Sequence, residues 1–288
     1  MQSQTFHIGG DGGISIAAEA TGNADALPVL LAHGGGQTRH AWKRVTADLA
    51  NAGFRPIAID MRGHGDSEWS AEGAYETRDF ASDLVAIASK MDRKPALVGA
   101  SLGGLAGLIA EGHLAPGRFA SLTRVGIAPR METGGVMRVV GFMEEHVETG
   151  FSSPDEAAEV IARYMPHRRK RGAGKGLRRY LREKEDGRYY WHWDPRFITG
   201  TQKPQGSREP ERLQMAARSL KIPTLLVRGR DSDLVTVEAA RQFAEIVPHS
   251  EFIDVANAGH MVAGDKNDIF TSAVLDFLTR MAPAASTS

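Results

Sequence analysis

Short, continuous apolar runs alternate with segments of helical period through the first 128 residues. Residues 29–32 are a continuous apolar run, the pattern of a strand covered on both faces, and the largely apolar stretches 55–60, 97–98 and 122–128 read as further strands. Between them, residues 41–50 and 79–91 repeat at helical spacing, the second with Phe80, Leu84, Ile87 and Met91 on one face. Residues 5–8 and 14–20 predict two short strands around a glycine-rich turn at 9–13. The rhythm stops at Pro129 and returns at Pro223, with strands over 224–227 and 251–255 and helices over 237–246 and 269–279. Strands separated by helices need crossover connections, so the pattern predicts an α/β fold built on a doubly wound, mostly parallel sheet.

Residues 130–219 read differently. They are mainly helical and irregular, which makes them an insertion, a cap over the strand ends, dividing the core into residues 1–129 and 220–288. The segment contains a basic run, Arg168, Arg169, Lys170, Arg171, Lys175, Arg178, Arg179 and Arg182, followed at once by Glu183, Glu185 and Asp186. That sequel favours a solvated helix face over an anion-binding patch. Next come Tyr189, Tyr190, Trp191, His192, Trp193 and Pro195, a cluster suited both to a small core of the insertion and to lining a pocket.

The chemistry concentrates where strands end. After residues 97–98 the chain reads Gly99, Ala100, Ser101, Leu102, Gly103, then small and apolar residues of helical character. A serine at the tip of a strand-to-helix turn sits on strained backbone, and the close approach of strand and helix leaves little room for a Cβ two residues to either side. Gly99 and Gly103 fill those places, which is the nucleophile-elbow pattern, and the amide of Leu102 then faces a developing oxyanion. His33, Gly34, Gly35 and Gly36 end an earlier strand and predict a second set of exposed amides, Gly35 the foremost. No Lys-Ser/Thr ending makes this run a phosphate loop. Residues 60–67 read as a shaped connection, with His64 structural. A serine holds its proton at neutral pH and needs a base within about 3 Å, itself oriented by a carboxylate. His260, with an aspartate among residues 231–233, completes that set in chain order.

Composition narrows the partners. Lys+Arg and Asp+Glu both number 35, so no overall field recruits nucleic acid or an anionic membrane surface. The chain has no cysteine, which removes disulfides, thiolate metal sites and cysteine nucleophiles. The first 13 residues lack a basic flank and an apolar core, and no apolar run is long enough to span a bilayer, so the cytoplasm is the expected address. The histidines and carboxylates show no metal-ligand spacing.

Taken together, His33 to Gly36, the loop 60–67, the elbow at 99–103, the loop 229–235 and Gly259 with His260 resemble the α/β-hydrolase superfamily over nearly the whole chain. The resemblance implies Ser101 as nucleophile, His260 as base, and Leu102 with Gly35 as the oxyanion donors. Many members place the acid where this chain has Ser232. The flanking aspartates are the candidates, Asp233 favoured because it opens the Asp-Leu-Val step into the next helix, Asp231 the alternative. Trp191, Trp193, Met131, Phe142 and Met261 are the expected substrate contacts. The implied activity is cofactor-free hydrolysis of small, largely apolar carboxylic esters or lactones through an acyl-enzyme. A carbon–carbon bond hydrolase, a perhydrolase with the same triad, and a non-catalytic ligand receptor are the competing readings. Serine at position 101 argues against epoxide hydrolases and haloalkane dehalogenases, which need a carboxylate nucleophile. Oligomeric state has no signature in the sequence.

Overall fold

The computed structural model describes residues 3–164, 177, 180–203, 210–256, 258–259 and 268–281. Eight strands form one sheet in the order β1-β2-β4-β3-β5-β6-β9-β10. In chain order these are β1 (Ser3–Gly9), β2 (Ser15–Thr21), β3 (Pro28–Ala32), β4 (Arg55–Ile59), β5 (Ala96–Ala100), β6 (Ser121–Val125), β9 (Thr224–Gly229) and β10 (Ser250–Val255). The hairpin β1-β2 joins β4 antiparallel, and every pairing from β4 to β10 is parallel. All the strands expected from the apolar runs are present, displaced by no more than a few residues at their ends.

The central strands are buried on both faces because helices cover both. On β3, Leu30 and Ala32 belong to one apolar cluster while Val29 and Leu31 belong to another across the sheet. The first cluster takes in helices α2 (Thr77–Ser89) and α3 (Leu102–Ile109), with the helices Pro210–Arg218 and Val237–Ile246. The second takes in α1 (Lys43–Asn51), through Val45 and Leu49, and the helix Asp268–Met281, through Phe270, Val274 and Phe277. Caps set local boundaries: Glu76 and Asp79 form a capping box on α2, and the Thr236 hydroxyl accepts from the Ala239 amide at 3.1 Å.

One core position breaks the apolar rule. Arg124, on β6, is fully buried, and none of its guanidinium nitrogens has a hydrogen-bond partner among the described residues. Its guanidinium lies 4.9 Å from the centre of the Phe243 ring. Burial pushes its pKa down to about 9. A buried cation without an acceptor costs more than an apolar side chain of the same shape. Arg124→Met is therefore expected to stabilise the fold by about 2–4 kcal/mol, raising Tm by roughly 5–10 °C in differential scanning calorimetry. An unchanged or lower Tm would contradict this account of the position.

Residues 130–219 fall between β6 and β9. Their described parts contain α4 (Thr133–Glu144), α5 (Pro154–Tyr164), a helical turn at Arg196–Thr199 and the helix Pro210–Arg218. They also contain an antiparallel ribbon of β7 (Leu181–Glu183) and β8 (Tyr189–Trp191), which the helical reading of this stretch did not anticipate. Each of its strands is three residues long, too short for a period-2 pattern to register. Most of the basic run lies outside the described residues; Arg182, within them, packs over the Trp69 ring at 4.9 Å and donates to the Gly65 carbonyl at 2.8 Å.

Candidate active site

The elbow forms as the glycine spacing predicts. Ser101 stands between β5 and α3 with φ 46° and ψ −111°, a conformation that costs a non-glycine residue about 1–3 kcal/mol. Its neighbours hold it there: the Ser101 amide donates to the Val125 carbonyl at 2.9 Å, and its carbonyl accepts from Leu105 at 2.9 Å. A Cβ on Gly99 would collide with the Gly103 backbone, and one on Gly103 with the Ala32 carbonyl. The β3 end and the elbow thus press together. The Gly103 amide donates to the His33 carbonyl at 3.2 Å, and a Cβ on Gly34 would lie 3.3 Å from that of Ser101.

Hydrogen bonding separates the three glycines after His33. The Gly34 amide is spent on Gln37 Oε1 at 3.0 Å and the Gly36 amide on His64 Nε2 at 3.1 Å. The amides of Gly35 and Leu102 have no hydrogen-bond acceptor among the described residues. Leu102 is also the first residue of α3, whose N-terminus presents positive potential at Ser101. The peptide carrying the Gly35 amide is fixed by its own carbonyl, since Gly34 O accepts from His33 Nδ1 at 2.7 Å and from the Gln37 amide at 3.1 Å. In a trans peptide C=O and N–H point opposite ways, so holding one aims the other.

Three buried histidines surround this loop, and backbone groups use both nitrogens of each. His33 accepts from the Met61 amide at 2.9 Å, in addition to its bond to Gly34 O. His64 donates from Nδ1 to the Arg62 carbonyl at 2.9 Å and accepts from Gly36. His192, from the stretch between β6 and β9, accepts at Nδ1 from the Gly65 amide at 2.9 Å and donates from Nε2 to the Gly36 carbonyl at 3.2 Å. A backbone N–H can only donate, so each ring must keep one nitrogen bare and is neutral. Burial, ahead of the other contributions, pulls the pKa of each to about 3. The expectation that His64 is structural is met, and His33 props the glycine loop through Gly34 O and the Met61 amide. The two nitrogens of His192 are likewise engaged by backbone.

The acid loop lies beyond β9. Asp233 is exposed, and its Oδ2 accepts from Arg138 Nη1 on α4 at 2.6 Å. α4 packs closely there: a Cβ on Gly135 would meet the Asp233 carbonyl, and the Glu132 amide donates to Leu234 O at 3.0 Å. Asp231 is exposed, its amide donating to Ala258 O at 3.0 Å. A Cβ on Gly229 would meet the carbonyls of both Ala258 and Gly259. The acid loop is therefore in contact with the chain immediately before position 260. His260 and Met261 themselves lie outside the described residues.

The expected substrate contacts divide into two layers. A Cβ on Gly36 would lie 3.0 Å from Met143 Cε and 3.2 Å from Trp193, and one on Gly35 would lie 3.1 Å from Phe197. Trp191 is one layer further out, stacked on Trp193 with ring centres 4.7 Å apart and edge-on to Phe151 at 4.7 Å. Phe142 stacks on Tyr164 at 4.5 Å, and burial followed by the charge of Asp233 pushes the Tyr164 phenol up to about 12. Met131 is half-buried against the same cluster. Among the described residues no group of three His, Cys, Asp or Glu side chains is placed to hold a metal ion. No helix among them is long and apolar enough to cross a membrane.

A family model described as alpha/beta hydrolase fold matches residues 28–266. The chain belongs to the α/β-hydrolase family. This α/β hydrolase is 27% identical over 246 residues to an esterase of Mycobacterium tuberculosis, an alignment covering 83% of this chain and 78% of the relative. It is 27% identical over 287 residues to 2-hydroxy-6-oxo-6-(2'-aminophenyl)hexa-2,4-dienoic acid hydrolase of Metapseudomonas resinovorans, covering 88% and 85%. The crystal structure of E-2-(acetamidomethylene)succinate hydrolase superposes on 96% of this chain and 100% of its own with a TM-score of 0.80. At 23% identity that likeness speaks for the fold alone. The family and these relatives support a hydrolase as the class of enzyme.

Proposed function

We propose that this α/β hydrolase cleaves carboxylic ester or lactone bonds of small, largely apolar substrates through an acyl-enzyme on Ser101. The observation that carries the reading is the pair of uncommitted amides, Gly35 and Leu102, beside a serine on strained backbone, with every neighbouring amide of the glycine loop already spent. Amides left without partners in a buried loop are costly, and an oxyanion satisfies both at once. In this reading His260 takes the Ser101 hydroxyl proton as Oγ attacks the carbonyl carbon. Asp233 orients the imidazole, and the two amides hold the tetrahedral oxyanion. Collapse breaks the bond to the alcohol, which leaves with the proton from His260. Water, deprotonated by the same base, then releases the acid.

Residues 130–219 act as a cap in this proposal. Met143, Trp193 and Phe197 at the glycine loop give the acyl group an apolar, water-poor surface, which favours small apolar acids and strengthens the field of the two amides. Trp191, Phe142, Met131 and Met261 extend that surface. The test is covalent labelling: a fluorophosphonate is expected to modify Ser101 one-to-one, read by intact-protein and peptide mass spectrometry, with turnover of p-nitrophenyl acetate or butyrate lost in parallel. Folded protein that neither labels nor turns over any ester of a short-chain panel would refute the assignment and favour a non-catalytic receptor.

A further inference from the structure

Among the described residues, the inserted segment reaches the glycine loop through one hydrogen-bonded path, which begins at His192. The His192 Nε2–H donates to the carbonyl of the Gly36-Gln37 peptide at 3.2 Å. The amide of that peptide donates to Gly34 O at 3.1 Å, and Gly34 O belongs to the peptide that carries the Gly35 amide. Two peptide planes therefore separate the imidazole of His192 from the Gly35 N–H. At the other face of the same turn, the Gly36 amide donates to His64 Nε2 at 3.1 Å, so the turn is held between two rings whose centres are 6.0 Å apart.

The imidazole is held as firmly as the turn it grips. Its Nδ1 accepts from the Gly65 amide at 2.9 Å. Two residues on, the Asp194 amide donates to Gly63 O at 2.8 Å and its Oδ2 accepts from the Tyr75 hydroxyl at 2.6 Å. Arg196 adds a bond from Nη2 to Ser70 O at 2.7 Å. His192 and Asp194 face the loop 60–75 while Trp191 and Trp193, at the alternate positions, stack on each other. The motif Trp-His-Trp-Asp is thus a strand-like latch whose polar side chains bind the loop 60–75 and the glycine turn, while its indoles stack on each other with Trp193 against Gly36.

We propose that His192 is a positioning residue for the hydrolysis, through which the inserted segment sets the direction of the Gly35 N–H. This rests on the reading of Gly35 as an oxyanion donor. A ring that only filled space would be replaceable by any aromatic of its size. A ring that aims an amide is replaceable only by a side chain donating from the same place.

The experiment compares His192→Phe with His192→Gln, whose Nε2 can donate to Gly36 O. For His192→Phe, kcat on p-nitrophenyl butyrate is expected to fall about 10–100-fold with KM within about threefold, since a misaimed donor weakens the transition state more than the ground state. His192→Gln is expected to recover most of the loss. The ¹H-¹⁵N resonances of Gly35 and Gly36 are expected to shift in His192→Phe and return toward wild type in His192→Gln, a readout independent of turnover. Imidazole ¹⁵N spectra of the wild-type protein are expected to show the Nε2–H tautomer for His192. Equal kcat in both variants with unmoved Gly35 and Gly36 resonances would overturn the proposal, as would an Nδ1–H tautomer in the wild-type ring. Failure of the wild-type enzyme to label with a fluorophosphonate would overturn the hydrolytic reading instead, and the glycine resonances would still decide whether His192 holds the loop.

Discussion

Ser101→Ala is expected to lower kcat/KM for activated esters by at least about 10⁴-fold while leaving far-UV circular dichroism and Tm close to wild type. Removal of the nucleophile in enzymes of this chemistry leaves only the residual contribution of the oxyanion donors and binding. The fold is expected to tolerate the change, since position 101 is held by backbone bonds to Val125 and Leu105. The companion substitutions separate the two candidate acids. Asp233→Asn is expected to cost about 10³–10⁴-fold in kcat, the scale of losing the carboxylate behind a catalytic imidazole. Asp231→Asn is expected to stay within about threefold. Reversal of those two outcomes would move the acid to Asp231, whose amide binds Ala258, two residues before His260. Retention of full activity in Ser101→Ala would remove the mechanism altogether.

The second large effect is acid unfolding. His33, His64 and His192 are neutral in the folded protein with pKa values near 3, against 6.5 for an unconstrained histidine. Below pH 6.5 the unfolded chain takes up protons that the folded chain refuses, so stability is complete above that pH and falls as pH drops toward 3. Each ring contributes a slope of up to about 1.4 kcal/mol per pH unit, so three together reach about 4 kcal/mol per unit. Against a typical total of about 5–15 kcal/mol, that slope is expected to bring the unfolding midpoint to between about pH 5 and 3. Urea titrations from pH 7 to 5 measure it directly. Replacing His192 with Gln is expected to reduce the pH slope by about a third while lowering stability at pH 7. A flat Cm between pH 7 and 5 would show that the rings accept protons without losing their contacts. Activity is expected to disappear along the same curve, because protonated His64 can no longer accept from the Gly36 amide.

Much of the fold was legible because the chain reports burial by period. β3 is a continuous apolar run since helices cover both its faces, the apolar runs Leu225 to Val227 and Leu97 to Val98 mark β9 and β5, and α2 shows its buried face through Phe80, Leu84 and Ile87. The elbow was legible for a different reason. Gly99 and Gly103 answer a local steric demand within five residues, and local demands leave local signatures. The partners that His64 and His192 bind in the glycine loop left none. Their bonds to Gly36 and Gly65 span 28 to 156 positions, and nothing near either histidine in sequence encodes its distant partners. The pattern at 191–194 did hold a signal, an alternation of aromatic and polar side chains, but its aromatic richness reads first as core. Gly35 is the foremost donor candidate from the sequence already, and the structure adds the physical ground, since the amides of Gly34 and Gly36 are engaged elsewhere. The expected triad base and Met261 fall outside the described residues, so the proposed meeting of Ser101, Asp233 and His260 rests on the loops that carry them.

The fastening of Asp194 to Tyr75 and Gly63 bears on how such a protein can be shortened or recombined. Trimming residues 130–219 to a plain linker would strand a buried phenol and the carbonyls of Gly36 and Gly63, each then exposed to solvent or left wanting at a few kcal/mol. Grafting a foreign lid onto this scaffold would meet the same debt unless it brought its own imidazole and carboxylate at that spacing. The two parts therefore form one inheritable unit, and chimeras that respect only the Pro129 and Pro223 junctions are expected to fold poorly.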